Sequence, residues 1–233
     1  MLLLSQPLTS RETACPYIPE ELCRFSYFFA KDVTETELEF LLSKGWRKFG
    51  FYYFRPVCKN CSRCIPIRLQ TNNIMPSKSQ RRVIKKGELI NTEFKELECR
   101  DEIFELYKIH SKDRFSKDAD YDEFKNSFYI KSCPSMQSEY YIDNKLIAVG
   151  FLDISSISLS SIYFIYNTEY MKYSPGTLSV FREAKYAASI GLPYYYLGYY
   201  IEENKSMSYK NSFRINEKMN WKSEAWETTE NEN

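Results

Sequence analysis

Glu139-Tyr140-Tyr141-Ile142, then Asp143-Asn144, then Lys145-Leu146-Ile147-Ala148-Val149-Gly150-Phe151-Leu152-Asp153-Ile154 reads as two strands folded on a two-residue turn. Asp and Asn tolerate the left-handed backbone that a tight hairpin needs. Ser158 to Tyr166 follows as a third strand, expected to pair with the second. Upstream, Ile103, Leu106, Tyr107 and His110 share one helical face, as do Tyr121, Phe124 and Phe128. Downstream, Ser174-Pro175-Gly176-Thr177 leads into a helix from Leu178 to Ile190, stopped by Gly191, and Pro193 to Tyr200 is a further strand. Helices, an antiparallel meander, a helix and a strand make an α+β fold.

Ahead of this lies a second pattern. Thr34 and Glu37 have the spacing of a capping box for a helix running to Leu42, with Gly45 as its left-handed stop. Trp46 to Phe54 and Ile65 to Thr71 read as strands, and Ser77 caps a basic helix over Ser79 to Lys86 that halts at Gly87. The charged stretch from Lys95 to Glu102 is the expected boundary, giving an N-terminal domain over 1–94 and a second domain over 95–233.

The 233 residues carry 32 Lys and Arg against 31 Asp and Glu, so no bulk field draws the chain to nucleic acid and any such contact must come from local clustering. The longest purely apolar run, Leu146 to Leu152, is far too short to span a bilayer. Seven cysteines, odd in number and unevenly spread, argue against a disulfide scaffold and for a reducing cytosol. A single histidine, on an apolar helical face, leaves no Ser-His-Asp set to assemble. Neither a phosphate-binding Gly-Lys loop nor a dinucleotide fingerprint is present.

Three clusters carry chemistry. Cys58-x2-Cys61-x2-Cys64 can converge on one ion, with Cys15 or Cys23 as a fourth ligand; the alternative is a set of reduced thiols in a tight connection. Lys78, Arg81, Arg82, Lys85 and Lys86 form two cationic rows suited to a phosphate backbone, and the helix N-terminus at Ser77 is expected to lie open to an anion. In the aromatic run Tyr194 to Tyr200, Gly198 marks a close approach of a ligand or another backbone, and Tyr209-Lys210-x2-Phe213-Arg214 sets cations beside aromatics.

Taken in order, Cys15-Pro16-Tyr17, Gly45-Trp46-Arg47-Lys48-Phe49-Gly50, Arg55-Pro56-x-Cys58-x2-Cys61-x2-Cys64-x-Pro66-x-Arg68, Ser79-Gln80-Arg81-Arg82, Leu159-Ser160-Ser161-Ile162-Tyr163-Phe164, Gly176-Thr177, Gly191 to Ile201 and Tyr209-Lys210-x2-Phe213 resemble the arginyl-tRNA–protein transferase family. The likeness is nearer to its bacterial branch, the aspartate/glutamate leucyltransferases. Where bacterial relatives often carry a Pro-Gly-Cys-like turn, this chain has Glu202-Glu203-Asn204. The resemblance implies a small cysteine-bearing domain followed by a catalytic domain like the GCN5-related acyltransferases. It implies transfer of leucine, or alternatively arginine, from aminoacyl-tRNA to the N-terminal amine of proteins beginning with Asp or Glu, which marks them for degradation. It also brings an iron–sulfur cluster or zinc into question at Cys15, Cys58, Cys61 and Cys64.

Such a reaction is aminolysis of an activated ester. It needs alignment, oxyanion stabilisation and a proton acceptor, but no covalent intermediate and no cofactor for the chemistry. Asp153 is the expected grip on the α-ammonium, with Tyr163 and Tyr166 lining the same site. Selecting an acidic acceptor requires a desolvated cation, for which Lys210, Arg55 and Arg68 are candidates beside Tyr199 and Tyr209. The rivals are an acetyl-CoA-dependent N-acetyltransferase, disfavoured by the single glycine in Lys172 to Thr177, and a zinc-bearing RNA-binding module.

Overall fold

The computed structural model describes residues 1–229. Phe25–Lys31 (β1), Arg47–Phe49 (β2) and Tyr52–Pro56 (β3) form a small antiparallel sheet with two short N-terminal strands, and Glu35–Ser43 (α1) packs on it. The Thr34–Glu37 capping box is present, and Gly45 has φ 77. Trp46 to Phe54, expected as one strand, is instead the hairpin of β2 and β3. It is broken at Gly50, whose φ of 52 turns the chain and whose missing side chain leaves room for the Asn126 carbonyl.

Ile65–Gln70 (β4), Asn91–Glu96 (β5), Ser135–Ile142 (β6), Lys145–Ile154 (β7), Ser158–Tyr166 (β8), Tyr194–Tyr200 (β9), Asn216–Met219 (β10) and Trp226–Thr229 (β11) build the main sheet. Its order is β11-β10-β4-β9-β8-β7-β6-β5. The meander of β6, β7 and β8 is antiparallel as expected, turning through Asp143 and Asn144 at φ 48 and 62. Lys78–Lys86 (α2) and Pro175–Ser189 (α5) pack together on one side, where Gly87 meets Leu178. Asp101–Phe115 (α3) packs on β7 and β8, and Tyr121–Phe128 (α4) joins the same apolar cluster with Phe124 and Phe128. The class is α+β, as expected.

The sheet takes strands from both sides of residue 95. β4 lies between β9 and β10, and β5 covers the opposite edge along β6. The apolar faces of Ile67 and Leu69, fully buried in the cluster with Val180, Ala184 and Tyr195, require that position. A second tie is Glu39 on α1, which accepts from Ser155 and Ser158 at 2.6 Å and from Tyr196 at 2.9 Å. Lys48 on β2 provides a third, at 3.2 Å from Asp153 on β7, both almost fully buried.

His110 sits on the buried face of α3, its Nδ1 3.2 Å from the Tyr166 amide. Burial, with Arg114 nearby, lowers its pKa to about 4 from the ordinary 6.5. Between those values the unfolded chain binds the proton and the folded chain does not, so stability falls as pH drops through that window. Urea titrations at pH 7 and pH 4 should show the protein losing roughly 3 kcal/mol more than a His110→Gln variant loses. Parallel losses in the two proteins would show that this imidazole does not carry the effect.

Candidate active site

A cleft opens where β8 and β9 stop pairing. They run parallel for three rungs, Ser158–Tyr194, Leu159–Tyr195 and Ser160–Tyr196. Beyond these, β9 bulges at Gly198, with φ 89, as it pairs with β4. Arg47 reaches in from β2, its Nη1 donating to Ser160 Oγ at 2.7 Å and its Nη2 to the Ser161 carbonyl. That satisfies a polar group which the ended ladder leaves over.

Lys210 comes in from the opposite rim, on the single helical turn Tyr209–Ser212. Its Nζ donates to the Tyr199 carbonyl at 3.0 Å and approaches Met207 Sδ at 3.3 Å. A Cβ on Gly198 would lie 3.5 Å from Lys210 Nζ and 3.7 Å from Arg47 Nε and Nη2, so the glycine is the floor between two cations. Desolvation, with repulsion from Arg47, lowers Lys210 to about 7 from the ordinary 10.5. Burial likewise lowers Arg47. Two desolvated cations sharing one pocket favour a carboxylate over any neutral group.

The other expected acceptor residues have partners within the chain. Arg68 donates to Glu217 at 2.6 Å and to Tyr196 OH at 2.9 Å, and its guanidinium lies over Tyr194 and Trp226, at 3.8 and 4.3 Å from the ring centres. Arg55 packs over Trp46 and meets the Lys44 carbonyl at 3.3 Å and Glu224 at 3.8 Å. Tyr199 OH is taken up by the Gly45 carbonyl at 2.7 Å. Arg68 and Tyr199 are thus tied into the framework, while Arg55 keeps its Nε buried and without a hydrogen-bond partner among the described residues. Asp153 does grip an ammonium, but it is that of Lys48, with Ser135 Oγ donating at 2.7 Å and only 2% of the residue exposed. Both contacts fall on Oδ1, and this buried carboxylate is committed to Lys48 where a substrate amine was expected.

Tyr163 and Tyr166 follow Ser161 along β8. Tyr163 stacks on Phe128, and burial with Tyr107 and Tyr17 nearby raises its phenol. Tyr166 lies against His110 at 4.9 Å between ring centres. Tyr209 is exposed, with Glu183 and Tyr166 close enough to raise its phenol. Arg47, brought beside Lys210, and Lys48, paired with Asp153, are cations to which sequence reasoning assigned no role. Two adjacent cations in an otherwise aromatic strand were the available signal.

On α2, Lys78, Arg81, Arg82, Lys85 and Lys86 are all exposed, and none is in an ion pair among the described residues. The N-terminus of this helix is not open to an anion as expected. Ser77 Oγ accepts from the Gln80 amide and the Gln80 side chain accepts from the Ser77 amide, closing the first turn.

Cys15, Cys23, Cys58, Cys61 and Cys64 line one cavity of about 200 Å³ with Tyr17 and Trp221. Desolvation and the neighbouring thiols push Cys64 up to about 12. The donors suit a thiophilic metal in kind and number, although among the described residues no three such groups stand ready to hold an ion. Glu203 and Asn204 join this region to the cleft rim: Arg63 meets Glu203 at 3.3 Å, and Asn204 donates to the Tyr17 carbonyl at 3.1 Å. Among the described residues no helix is long and apolar enough to cross a membrane.

Known proteins share this arrangement of sequence. An aspartate/glutamate leucyltransferase of Campylobacter jejuni is 32% identical over 226 residues, 93% of each chain. One of Helicobacter hepaticus is 30% identical over 211 residues, 88% of each. One of Pseudomonas savastanoi is 30% identical over 208 residues, 86% of this chain and 87% of that protein. Residues 13–82 match the family described as arginine-tRNA-protein transferase, N terminus, and residues 102–220 its C-terminal counterpart. With Arg47 drawn from the first matched region and Lys210 from the second, meeting over Gly198, the chain belongs to the arginine-tRNA-protein transferase family.

Proposed function

We propose that this protein transfers leucine from leucyl-tRNA to the α-amine of proteins that begin with Asp or Glu, giving them an N-terminus that marks them for degradation. The observation that carries this is the Arg47–Lys210 pair across Gly198, two desolvated cations beside the opening of β8 and β9. Leucine is favoured over arginine as the donor because the relatives reported above are named leucyltransferases. The start of α5 does not favour acetyl-CoA: Pro175 removes one N–H, and the Thr177 and Leu178 amides bond to the Ser174 carbonyl.

In this reading the acceptor's acidic side chain lies against Lys210 and Arg47, which brings its amine to the cleft. The charged tRNA follows the five cations of α2, and the ester carbonyl enters beside Ser160 and Ser161. The amine, with a reference pKa of roughly 8, is partly neutral at ordinary pH and needs only placement and a proton acceptor. The cytoplasm, where charged tRNA is found, is the compartment this reading requires.

The direct test is transfer of labelled leucine or arginine from tRNA to peptides that begin with Asp, Glu or Ala. Leucine on the first two and not the third is expected; arginine alone would reassign the donor, and no transfer would reject the reading. Lys210→Ala should raise KM for the acceptor about 10- to 100-fold while moving KM for tRNA little, the cost of one charge-assisted hydrogen bond. Because free Lys210 loses its proton near pH 7, the ratio of wild-type to Lys210→Ala acceptor KM should climb from pH 7 to pH 9, the acceptor amine's own titration being common to both proteins. A flat ratio would remove Lys210 from recognition.

The double change Arg81→Ala with Arg82→Ala should weaken tRNA binding and reduce its salt slope by about two, leaving acceptor KM unchanged. Equal affinity across a salt series would reject α2 as the RNA surface. We further propose that the cysteine cavity holds a thiolate-bound centre, zinc or an iron–sulfur cluster, through Cys15, Cys58, Cys61 and Cys64. Stoichiometric metal in anaerobically purified protein, lost in Cys58→Ser, is expected. Metal-free protein under those conditions would count against it.

A further inference from the structure

The amino-terminal sheet turns one face to the core and the other to solvent. Residues opposite each other in an antiparallel ladder share a face. Lys48, Tyr53 and Phe28 form one such row, and Tyr53 and Phe28 are buried with Leu38, Leu41 and Leu42 of α1. The rows on the other face begin at the cleft. Arg47 lies opposite Phe54, Phe54 opposite Tyr27, and Tyr27 opposite Leu8 of the short strand Leu8–Thr9. Beside this runs a second row, Phe49, Tyr52 and Phe29.

The rings of the two rows touch. Phe49 and Tyr52 stack on Phe54 at 5.8 and 5.4 Å between ring centres, and Tyr27 and Phe29 lie 5.4 and 5.5 Å from Tyr52. None of these five is buried: Phe29 is 39% exposed and the other four are half-buried. At the inner end Phe49 meets Phe128 at 6.0 Å, and Phe128 stacks on Tyr163 of β8 at 5.3 Å, so the rings are continuous with the strand that borders the cleft. The wet face of an antiparallel sheet ordinarily carries polar side chains, which makes this aromatic surface a binding surface in kind.

Its charge says what it binds. β1, β2 and β3 contain four cations, Lys31, Arg47, Lys48 and Arg55, and no acid. Lys31 continues the alternation of Tyr27 and Phe29 along β1, and among the described residues it is in no ion pair. We propose that this face holds the unpaired 3′ end of the charged tRNA, an inference that rests on the transfer reaction above. Unpaired bases stack on aromatic rings whatever their identity, and the backbone that joins them is an anion. Neighbouring strands are about 4.8 Å apart, so the row from Arg47 to Tyr27 runs about 10 Å out of the cleft. Arg47 at its inner end is bonded to Ser160 and to the Ser161 carbonyl, which sets the terminal nucleotide beside the point where its ester must react. The preceding nucleotides lie outward over Phe54, Tyr52 and Tyr27. The cations of α2 then take phosphate, and the rings take bases.

Binding of uncharged tRNA, complete or trimmed of its last three nucleotides, tests this across a salt series. Tyr52→Ala and Tyr27→Ala should each weaken complete tRNA about 10-fold, within the range for loss of one stacked base, with the salt slope unchanged because no phosphate contact is removed. Trimmed tRNA should bind these variants and the wild type alike, and Tyr52→Phe, which keeps the ring, should retain most of the affinity. With 2-aminopurine in place of the last adenine, wild-type protein should quench the fluorescence and Tyr52→Ala should not. If Tyr52→Ala does not fold, Phe29→Ala, at the exposed end of the second row, carries the same expectations. Unchanged affinity for complete tRNA, or an equal loss for the trimmed one, would overturn the site. A raised KM for the acceptor peptide with tRNA affinity intact would overturn it too, giving the face to the acceptor polypeptide. Wild-type protein that binds tRNA through these rings yet transfers nothing would keep the site and overturn the function, so the two failures are distinct.

Discussion

Arg47 and Lys48 are consecutive cations that enter a largely apolar interior, and neither can be tolerated there without a partner. Arg47 takes Ser160 and the Ser161 carbonyl, and Lys48 takes Asp153. Asp153 and Ser160 are themselves cross-strand partners in the β7–β8 ladder. Two neighbouring side chains thus grip one rung of the main sheet and fix the β2–β3 hairpin over it. The rung they grip is also the last at which β8 pairs with β9. The same interaction that joins the amino-terminal hairpin to the sheet therefore sets the position of the cleft.

The electrostatics of the cleft follow from this. Arg47 donates to Ser160 and, through Nη2, to the Ser161 carbonyl, with its Nε and Nη2 toward Gly198, where Lys210 Nζ meets the Tyr199 carbonyl and Met207 Sδ. Cations in such a place are held at a cost, seen in the depression of both pKa values. A carboxylate entering between them would relieve that cost, whereas a neutral side chain would not. Arg68, equally cationic, is satisfied by Glu217 and aromatic faces, whereas Arg55 meets Glu224 and Trp46 with its Nε buried and without a hydrogen-bond partner among the described residues.

Around this centre polar networks do the joining that apolar packing does elsewhere. Glu39 gathers Ser155, Ser158 and Tyr196 and ties α1 to the main sheet, while Glu183 gathers Ser138, Tyr140 and Tyr195 and ties α5 to it from its own side. Tyr17 borders the cysteine cavity and lies near the phenols of Tyr163 and Tyr199. The Glu202-Glu203-Asn204 turn bonds to both Arg63 and Tyr17, so the segment that departs from the bacterial pattern acts as a clasp between the cavity and the cleft rim.

The local elements were legible in the chain because their causes are local. The Thr34–Glu37 and Ser77–Gln80 boxes, the Asp143-Asn144 turn and the α5 stop at Gly191 each depend on residues a few positions apart. The family resemblance, carried by ordered motifs along the chain, was legible too. What the chain could not show is which charges meet. Lys48 and Asp153 are 105 positions apart and Arg68 and Glu217 are 149 apart, so whether a charge is a site or a strut is decided only when the sheet brings its partner or leaves it without one. The insertion of β4 between β9 and β10 has the same origin. A strand's neighbours are chosen by burial of both its faces, which is a property of the folded sheet and not of the six residues that form it.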